Sequence, residues 1–401
     1  MVPNDWNVYE LNDLCHKISV GLAISVTPFM KSVGTKLIRN QNIKRNYFNS
    51  DSVVYIDNDF AESNKSKRVK SGDVVAVRTG SNIGEACVVP KDFDGALTFT
   101  TLIARPNPKL LDSYFLSTHM NSEIGISEVN RLCAGGGKPN LNSGELKHYR
   151  ILTPSLLEQK KITQILSNWD QAISATEKLL ENSQQQKKAL MQQLLTGKKR
   201  LLDENGVSFS DTWKTYKLGQ LFKERVEIGR DDLPLLSITA DDGVVYQEET
   251  GRKNTSNEDK SKYRRICVND IGYNTMRMWQ GRSSLSDKDG IVSPAYTIII
   301  PSEKIVPRFA AYLFKLPKLI HVFYRHSQGL VSDTWNLKFS HFKEISWSFP
   351  CFEEQQKIAA VLFTADQEIE TLQKKLDCLK QEKKALMQQL LTGKKRVKVA
   401  A

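Results

Sequence analysis

The chain lacks the residue clusters by which metal sites, membrane spans and common catalytic centres announce themselves. No apolar run approaches the roughly 18 residues that a membrane-crossing helix needs. The expectation is a cytoplasmic chain with no membrane contact. Six cysteines, at 15, 87, 133, 267, 351 and 378, form no C-x-x-C pair and no cluster with histidine. Zinc needs such clustering, so no metal site is expected. A disulfide framework is not expected either, in a chain of this size with no signal peptide to read at its start. The six histidines, at 16, 119, 148, 321, 326 and 341, show no ligand spacing. G-x-S-x-G, H-E-x-x-H and G-x-G-x-x-G are all missing. Gly135-Gly-Gly-Lys138 lacks the G-x-x-x-x-G-K-[ST] spacing whose amides cradle a phosphate. The Asn/Asp-Pro-Pro-aromatic signature of an amino-methyltransferase is missing too. These absences point to a chain with no catalytic residue and no cofactor of its own.

What the chain does have is a repeat. The run from Lys187 to Arg200 recurs without change from Lys383 to Arg396. More than half of positions 154–200 match positions 350–396, including Glu158/Glu354, Gln159/Gln355 and Asp170/Asp366. Internal repeats dictate architecture, so the chain divides into two halves with the same ending.

That ending reads as a long helix. Ile162, Leu166, Trp169 and Ile173 follow a 4-3-4 spacing, which continues through Leu180, Leu190 and Leu194. The second copy offers Ile358, Leu362 and Ile369, then Leu376, Leu386 and Leu390. A heptad seam held this long argues a coiled coil. Thr176, Ser183 and Lys187 interrupt the apolar stripe. Pro154 and Pro350 precede the helices, and Gly197 and Gly393 stand where left-handed C-caps belong. About 40 residues at 1.5 Å each make a rod of about 60 Å, too long to hide in one core. The two copies are expected to pair antiparallel, relating the halves by a pseudo-two-fold axis and holding two globular modules apart.

Lys and Arg number 57 against 45 Asp and Glu, a net charge of +12. A basic excess suits a polyanionic partner. The expected order is a first module at 1–153, a helix at 154–200, a second module at 201–349, a helix at 350–396 and a tail at 397–401. The first module reads as polar, turn-rich chain to about residue 52, then strands near 71–80, 85–90 and 96–104, then a helix over 109–124. The second module echoes this plan, with Val268–Gly281 matching Ser71–Gly84, a strand at 295–301 and a helix over 307–326. The pairs Asp73/Gly84 and Asp270/Gly281 keep the same separation. The modules share a plan and little sequence, so one scaffold carries two different faces.

The P-x-x-x-E-Q-x-K-I helix starts at 154 and 350 and the L-L-T-G-K-K-R helix ends resemble a known family, as does the Trp-x-x-Tyr-x-Leu opening of each module. The segments G-D-V-V-A-V-R-T-G and N-D-I-G-Y-N-x-M-R-x-W-Q-G add to the likeness. The chain resembles the specificity subunit of a type I restriction–modification system over nearly its whole length. The resemblance implies two mixed α/β (α+β) target recognition domains separated by two long antiparallel helices. Each domain would read one half of a split double-stranded DNA target. The helices would set the spacing and dock methyltransferase subunits, two of them, with restriction/translocase subunits beyond. Those partners are expected to use S-adenosylmethionine, ATP and Mg. A stand-alone DNA-binding coiled-coil regulator and a nuclease with unrecognised carboxylates are the alternatives.

Polar loops supply the candidate contacts. In the first module Arg78, Thr79, Ser81 and Asn82 follow a strand, and Lys138, Asn140 and Asn142 lie on a later loop. The second offers Asn274, Arg277, Trp279, Gln280 and Arg282, then Ser332, Asn336 and Lys338. Arg can pair bidentately with guanine and Asn or Gln with adenine. Lys, Ser and Thr can hold phosphates without reading sequence. Trp279 can stack or wedge against a base. Trp213 and Trp335 are expected to pack. Lys198-Lys-Arg200 and Lys394-Lys-Arg396 suit the negative end of a helix dipole.

Overall fold

A computed structural model describes every residue except 1–2, 4, 134–139, 240–242, 252–258, 331–333 and 399–401. Two compact units emerge, one of residues 1–177 with 375–401, the other of residues 178–374. Each unit therefore contains parts of both long helices, Leu156–Leu194 and Phe352–Leu391.

In the first unit a four-stranded antiparallel sheet runs in the order Cys15–Val20, Thr101–Pro106, Val74–Val77, Ala86–Val88. Asn7–Glu10 pairs with Arg150–Thr153, so the module's first and last strands lie side by side. A second four-stranded sheet holds Leu97–Thr98, Thr35–Ile38, Val54–Ile56 and Met30–Lys31. The second unit repeats the first sheet with Phe222–Glu224, Tyr296–Pro301, Ile271–Asn274 and Ser283–Leu285. Lys214–Lys217 pairs with Ser346–Phe349 in the same closing role.

Three sequence expectations are corrected here. The stretch before residue 52 is not mainly turn. It holds the strands Asn7–Glu10, Cys15–Val20 and Thr35–Ile38. The first two pair far along the chain, with Arg150–Thr153 and Thr101–Pro106, and the third pairs with Val54–Ile56, so no local alternation marked the set. The helix expected over 109–124 is two helices, Ser113–Met120 and Glu123–Leu132, with the Ser122 hydroxyl accepting from the Gly125 amide. The helix expected over 307–326 is also two, Pro307–Leu313 and Pro317–His326. Pro317 lacks an amide hydrogen and fits only a first turn, so a new helix starts there.

The long helices pair antiparallel within each unit. In the first unit the start of one meets the end of the other: Lys383 Nζ lies 2.5 Å from Asp170 Oδ1, and Arg396 forks onto Glu158 at 2.9 Å. In the second unit the corresponding residues make the corresponding contacts. Lys187 pairs with Asp366, and Arg200 forks onto Glu354 at 2.7 Å through both nitrogens. Lys187 and Lys383 therefore do not simply weaken the stripe. Each meets a carboxylate of the facing helix, a device that favours one register of pairing over slipped ones.

The seam residues divide between two cores. Ile162, Leu166 and Leu390 are buried in the first unit's core with Leu386 against it. Leu194, Ile358 and Leu362 are buried in the second unit's core with Leu190 against it. Leu180 and Leu376 are buried, while Trp169, Ile173 and Ile369 are half-buried. The helix ends are thus built into the domains they serve.

The E-Q pair at each helix start has a structural job. Gln159 is fully buried; its amide donates to Leu110 and Pro154 carbonyls and accepts from the Asp112 amide. Gln355 does the same with Lys304, Pro350 and Val306. Trp6 packs on Gly393, and Trp213, as expected of a packing residue, lies on Gly197. A Cβ at Gly197 would crowd the Trp213 ring at 3.2 Å and one at Gly393 would strike Pro3 at 2.5 Å, and both glycines have positive φ.

Candidate nucleic-acid interface

The two polar loops of each module converge through the same frame. In the first unit Asp73 begins the strand Val74–Val77. It is buried, accepts 2.8 and 2.7 Å bonds from Arg105, and accepts the Lys70 amide. The carboxylate holds the Arg105 guanidinium above its ordinary pKa. The strand ends at Val77, and the loop from Arg78 to Gly84 follows. Gly84 has φ of 84°, and a Cβ there would strike Val129 of the helix Glu123–Leu132. An anchored aspartate and a close-packed glycine thus fix the two ends of the loop, which explains their shared spacing.

The same parts recur in the second unit. Asp270 accepts 2.6 and 3.1 Å bonds from Arg225, which again raise the guanidinium's pKa, and a 2.8 Å bond from the Cys267 amide. Gly281 has φ of 75° and lies on Ile320 of the helix Pro317–His326.

A later loop docks beside each. The Leu141 amide donates to the Arg78 carbonyl at 3.0 Å, and the Leu337 amide to the Thr275 carbonyl at 2.8 Å. The structure therefore brings 78–82 together with 140–142, and 274–282 together with 336–338.

Within the first pair, Arg78 Nε donates to Asn140 Oδ1 at 3.1 Å, and Thr79 and Asn140 form a β-bridge. Thr79, Ser81 and Asn82 are exposed, with Ser81 Oγ 3.3 Å from Asn82 Oδ1. Asn142 caps the helix Ser143–Lys147 by accepting the Glu145 amide at 2.9 Å. Its side-chain oxygen is committed to that cap. Lys138 lies outside the described residues.

Within the second pair, Arg277, Gln280 and Arg282 are exposed. Asn274 Oδ1 accepts the Met276 amide, a local turn bond. Trp279 Nε1 donates to the Met276 carbonyl at 2.9 Å. Asn336 bridges Gln328, and its amide nitrogen reaches the Gln328 and Thr334 carbonyls. Lys338 is exposed ahead of the helix Phe339–Phe342. Ser332 lies outside the described residues. Asn142, Asn274 and Asn336 thus shape their loops, while Arg277, Gln280, Arg282 and Lys338 project from theirs.

Trp335, expected only to pack, does pack, but between residues of this face. Its ring meets Trp279 edge-on at 5.3 Å and Tyr324 at 4.9 Å. Tyr324 was not singled out from the sequence. It lies one helical turn after Ile320, the residue beneath Gly281, a placement made by packing and not marked in the sequence.

Charge pairing separates two kinds of arginine. In the second unit Arg200, Arg225, Arg230, Arg264 and Arg265 all face carboxylates. Among the described residues of this unit, ion pairing leaves Arg277, Arg282, Arg308 and Arg325 without a carboxylate, and Arg308 lies instead over the Phe363 ring at 3.9 Å. Unneutralised guanidinium groups beside an open polar loop are suited to phosphates and base edges. No group of three or more metal-binding side chains occurs among the described residues.

Comparison with known proteins places this geometry. The pattern of the family described as type I restriction modification DNA specificity domain matches residues 3–183 and 210–381. The MjaVIII specificity subunit of a type I restriction enzyme from Methanocaldococcus jannaschii is 25% identical, covering 99% of this chain and 94% of its own. The crystal structure of a type I restriction–modification S subunit from M. genitalium matches with a TM-score of 0.57 at 15% identity, over 100% of this chain and 99% of that one. The HsdS subunit from Thermoanaerobacter tengcongensis matches with a TM-score of 0.51 at 15% identity, over 98% of both chains. At that identity the two structures speak for the fold alone. With two matched segments, each carrying one copy of the anchored loop pair, the chain belongs to the type I restriction–modification DNA specificity family and is a specificity subunit with two recognition domains.

Proposed function

We propose that each unit reads one half of a bipartite double-stranded DNA target, the first through Arg78, Thr79, Ser81 and Asn82, the second through Arg277, Gln280 and Arg282. One observation carries this reading: the same anchored frame is built twice and bears unlike side chains each time. A shared frame orients two surfaces alike, and unlike surfaces favour unlike bases. Lys338 serves as a phosphate contact beside the second.

The long helices set the distance between half-sites and dock two methyltransferase subunits, with restriction/translocase subunits joining that assembly. The chain is the recognition component and not the catalytic one. Chemistry belongs to the partners, which use S-adenosylmethionine, ATP and Mg. The work is done in the cytoplasm; no helix among the described residues is long and apolar enough to cross a membrane.

The test is a methylome. The chain is co-expressed with its methyltransferase subunits, and modified sites are read genome-wide. Arg277→Ala is expected to relax one half of the target, at about 1–3 kcal/mol for a lost bidentate contact. Arg78→Ala is expected to relax the other half. Both variants altering the same half would overturn the assignment. A uniform loss at every site with a shallower salt dependence would reassign the residue to a phosphate.

A further inference from the structure

The second unit carries a feature not found among the described residues of the first. Trp279, Trp335 and Tyr324 form a ladder of edge-on rings, and His321 stacks on Tyr324 at 5.9 Å and 22°. Trp279 is locked, because its one polar hydrogen is given to the Met276 carbonyl. Tyr324 and Met276 remain 41% and 47% exposed. A soluble surface rarely leaves braced aromatic rings open beside uncompensated cations unless something covers them.

The surroundings say what covers them. Arg277 and Arg282 on the loop, and Arg325 next to Tyr324, face no carboxylate among the described residues. Elsewhere among the described residues of this unit each arginine faces a carboxylate or, in Arg308, the Phe363 ring. An apolar platform with carboxylate-free guanidinium groups on the same loop and helix complements a polyanion with flat faces. The matching helix of the first unit, Glu123–Leu132, has no aromatic residue, and its Arg131 is tied to Glu128 at 2.6 and 2.9 Å. Both helices support their loop in the same way, through Val129 under Gly84 and Ile320 under Gly281. Only the second presents an uncommitted face.

We infer that the helix Pro317–His326 is part of the DNA-contacting surface of the second recognition domain, with Tyr324 as an apolar ring contact to the duplex and Arg325 as a phosphate contact. The inference rests on the proposed DNA-reading role and adds a second element to it. Trp279 and Trp335 hold Tyr324 in place. The second half-site is therefore recognised partly by shape and ring contact, and the first by polar loop groups alone.

The experiment uses the assembled complex with its methyltransferase subunits. Duplexes enriched by the complex from a random library supply the probe, and binding is followed by fluorescence anisotropy across salt concentrations. Tyr324→Ala is expected to weaken binding about tenfold and relax the second half-site only, with Tyr324→Phe retaining binding. Arg325→Ala is expected to reduce the salt slope by about one unit without changing the selected sequence. Unchanged melting of the variants separates contact from folding. If Tyr324→Ala and Arg325→Ala bind, select and respond to salt as wild type while Arg277→Ala does not, the inference falls and the reading of the loop stands. If Tyr324→Ala acts and Arg277→Ala is silent, the helix is upheld and the loop assignment falls.

Discussion

At the scale of single residues, His119 ties the first domain's stability to pH. It is fully buried, and its Nδ1 lies 2.8 Å from the Tyr149 hydroxyl, itself fully buried. Burial pushes the imidazole pKa down to about 4, against a weak opposite pull from Glu128. An unfolded histidine titrates near 6.5. Between those values the unfolded chain binds a proton that the folded chain refuses. Stability is therefore present above pH 6.5 and is lost as pH falls toward 4, by about 2 kcal/mol between pH 7 and pH 5. Urea midpoints at the two pH values are expected to differ less in His119→Gln than in the wild type. An equal loss in both would assign the acid sensitivity elsewhere. The residue scale is also where sequence reading was least informative. Asn142 and Arg277 look alike as polar loop residues, yet one caps a helix and the other projects freely. The difference depends on where neighbouring amides point, which no residue type encodes.

At the scale of elements, the loops are held by an aspartate at one end and a glycine at the other. Gly281 tests that arrangement. Its φ of 75° strains any L residue, and a Cβ would sit 2.6 Å from the Ile320 δ carbon. Gly229 has φ of 73° with nothing within 4 Å, so it isolates the backbone cost. Gly229→Ala is expected to lower stability by about 1 kcal/mol. Gly281→Ala is expected to cost more, because Ile320 must shift, and to relax the second half-site by displacing Trp279 and Gln280. Equal costs, with DNA selection unchanged, would show that the glycine contact does not position the loop. The long helices were legible in the sequence from their heptads and caps. The early strands were not, because Cys15–Val20 pairs with Thr101–Pro106, far along the chain. The break before Pro317 was visible as a proline within an apolar pattern and is decided by the missing amide hydrogen.

At the scale of the whole molecule, the repeat predicts a dimer of halves. Within each unit a helix start meets a helix end through equivalent contacts, Asp170–Lys383 in one and Asp366–Lys187 in the other. A fragment of residues 1–200 keeps both Asp170 and Lys187, so two copies can supply each other's partners by isologous pairing. It is expected to dimerise, more weakly than the native helices pair, because Thr176 and Ser183 replace the Leu372 and Leu379 of the other seam. Sedimentation at micromolar concentration reads the state. With methyltransferase subunits the dimer is expected to direct methylation to an inverted repeat of one half-site. A folded, strictly monomeric fragment would sink the pairing, and a direct repeat would sink its two-fold geometry.

The sequence by itself determined the duplication and the two long helices, because heptads, caps and repeats are patterns along the chain, whereas the carboxylates that meet Lys187 and Lys383 came to light only in the fold. It also marked the loops that carry the candidate contacts, since those follow strand and turn signals. Tertiary structure alone decided which loop residues remain free, that 78–82 meets 140–142 and 274–282 meets 336–338, and that Tyr324 joins Trp279 through Trp335. Those outcomes depend on hydrogen bonds and ring contacts between segments distant in sequence. The chain specifies them only through the packed whole.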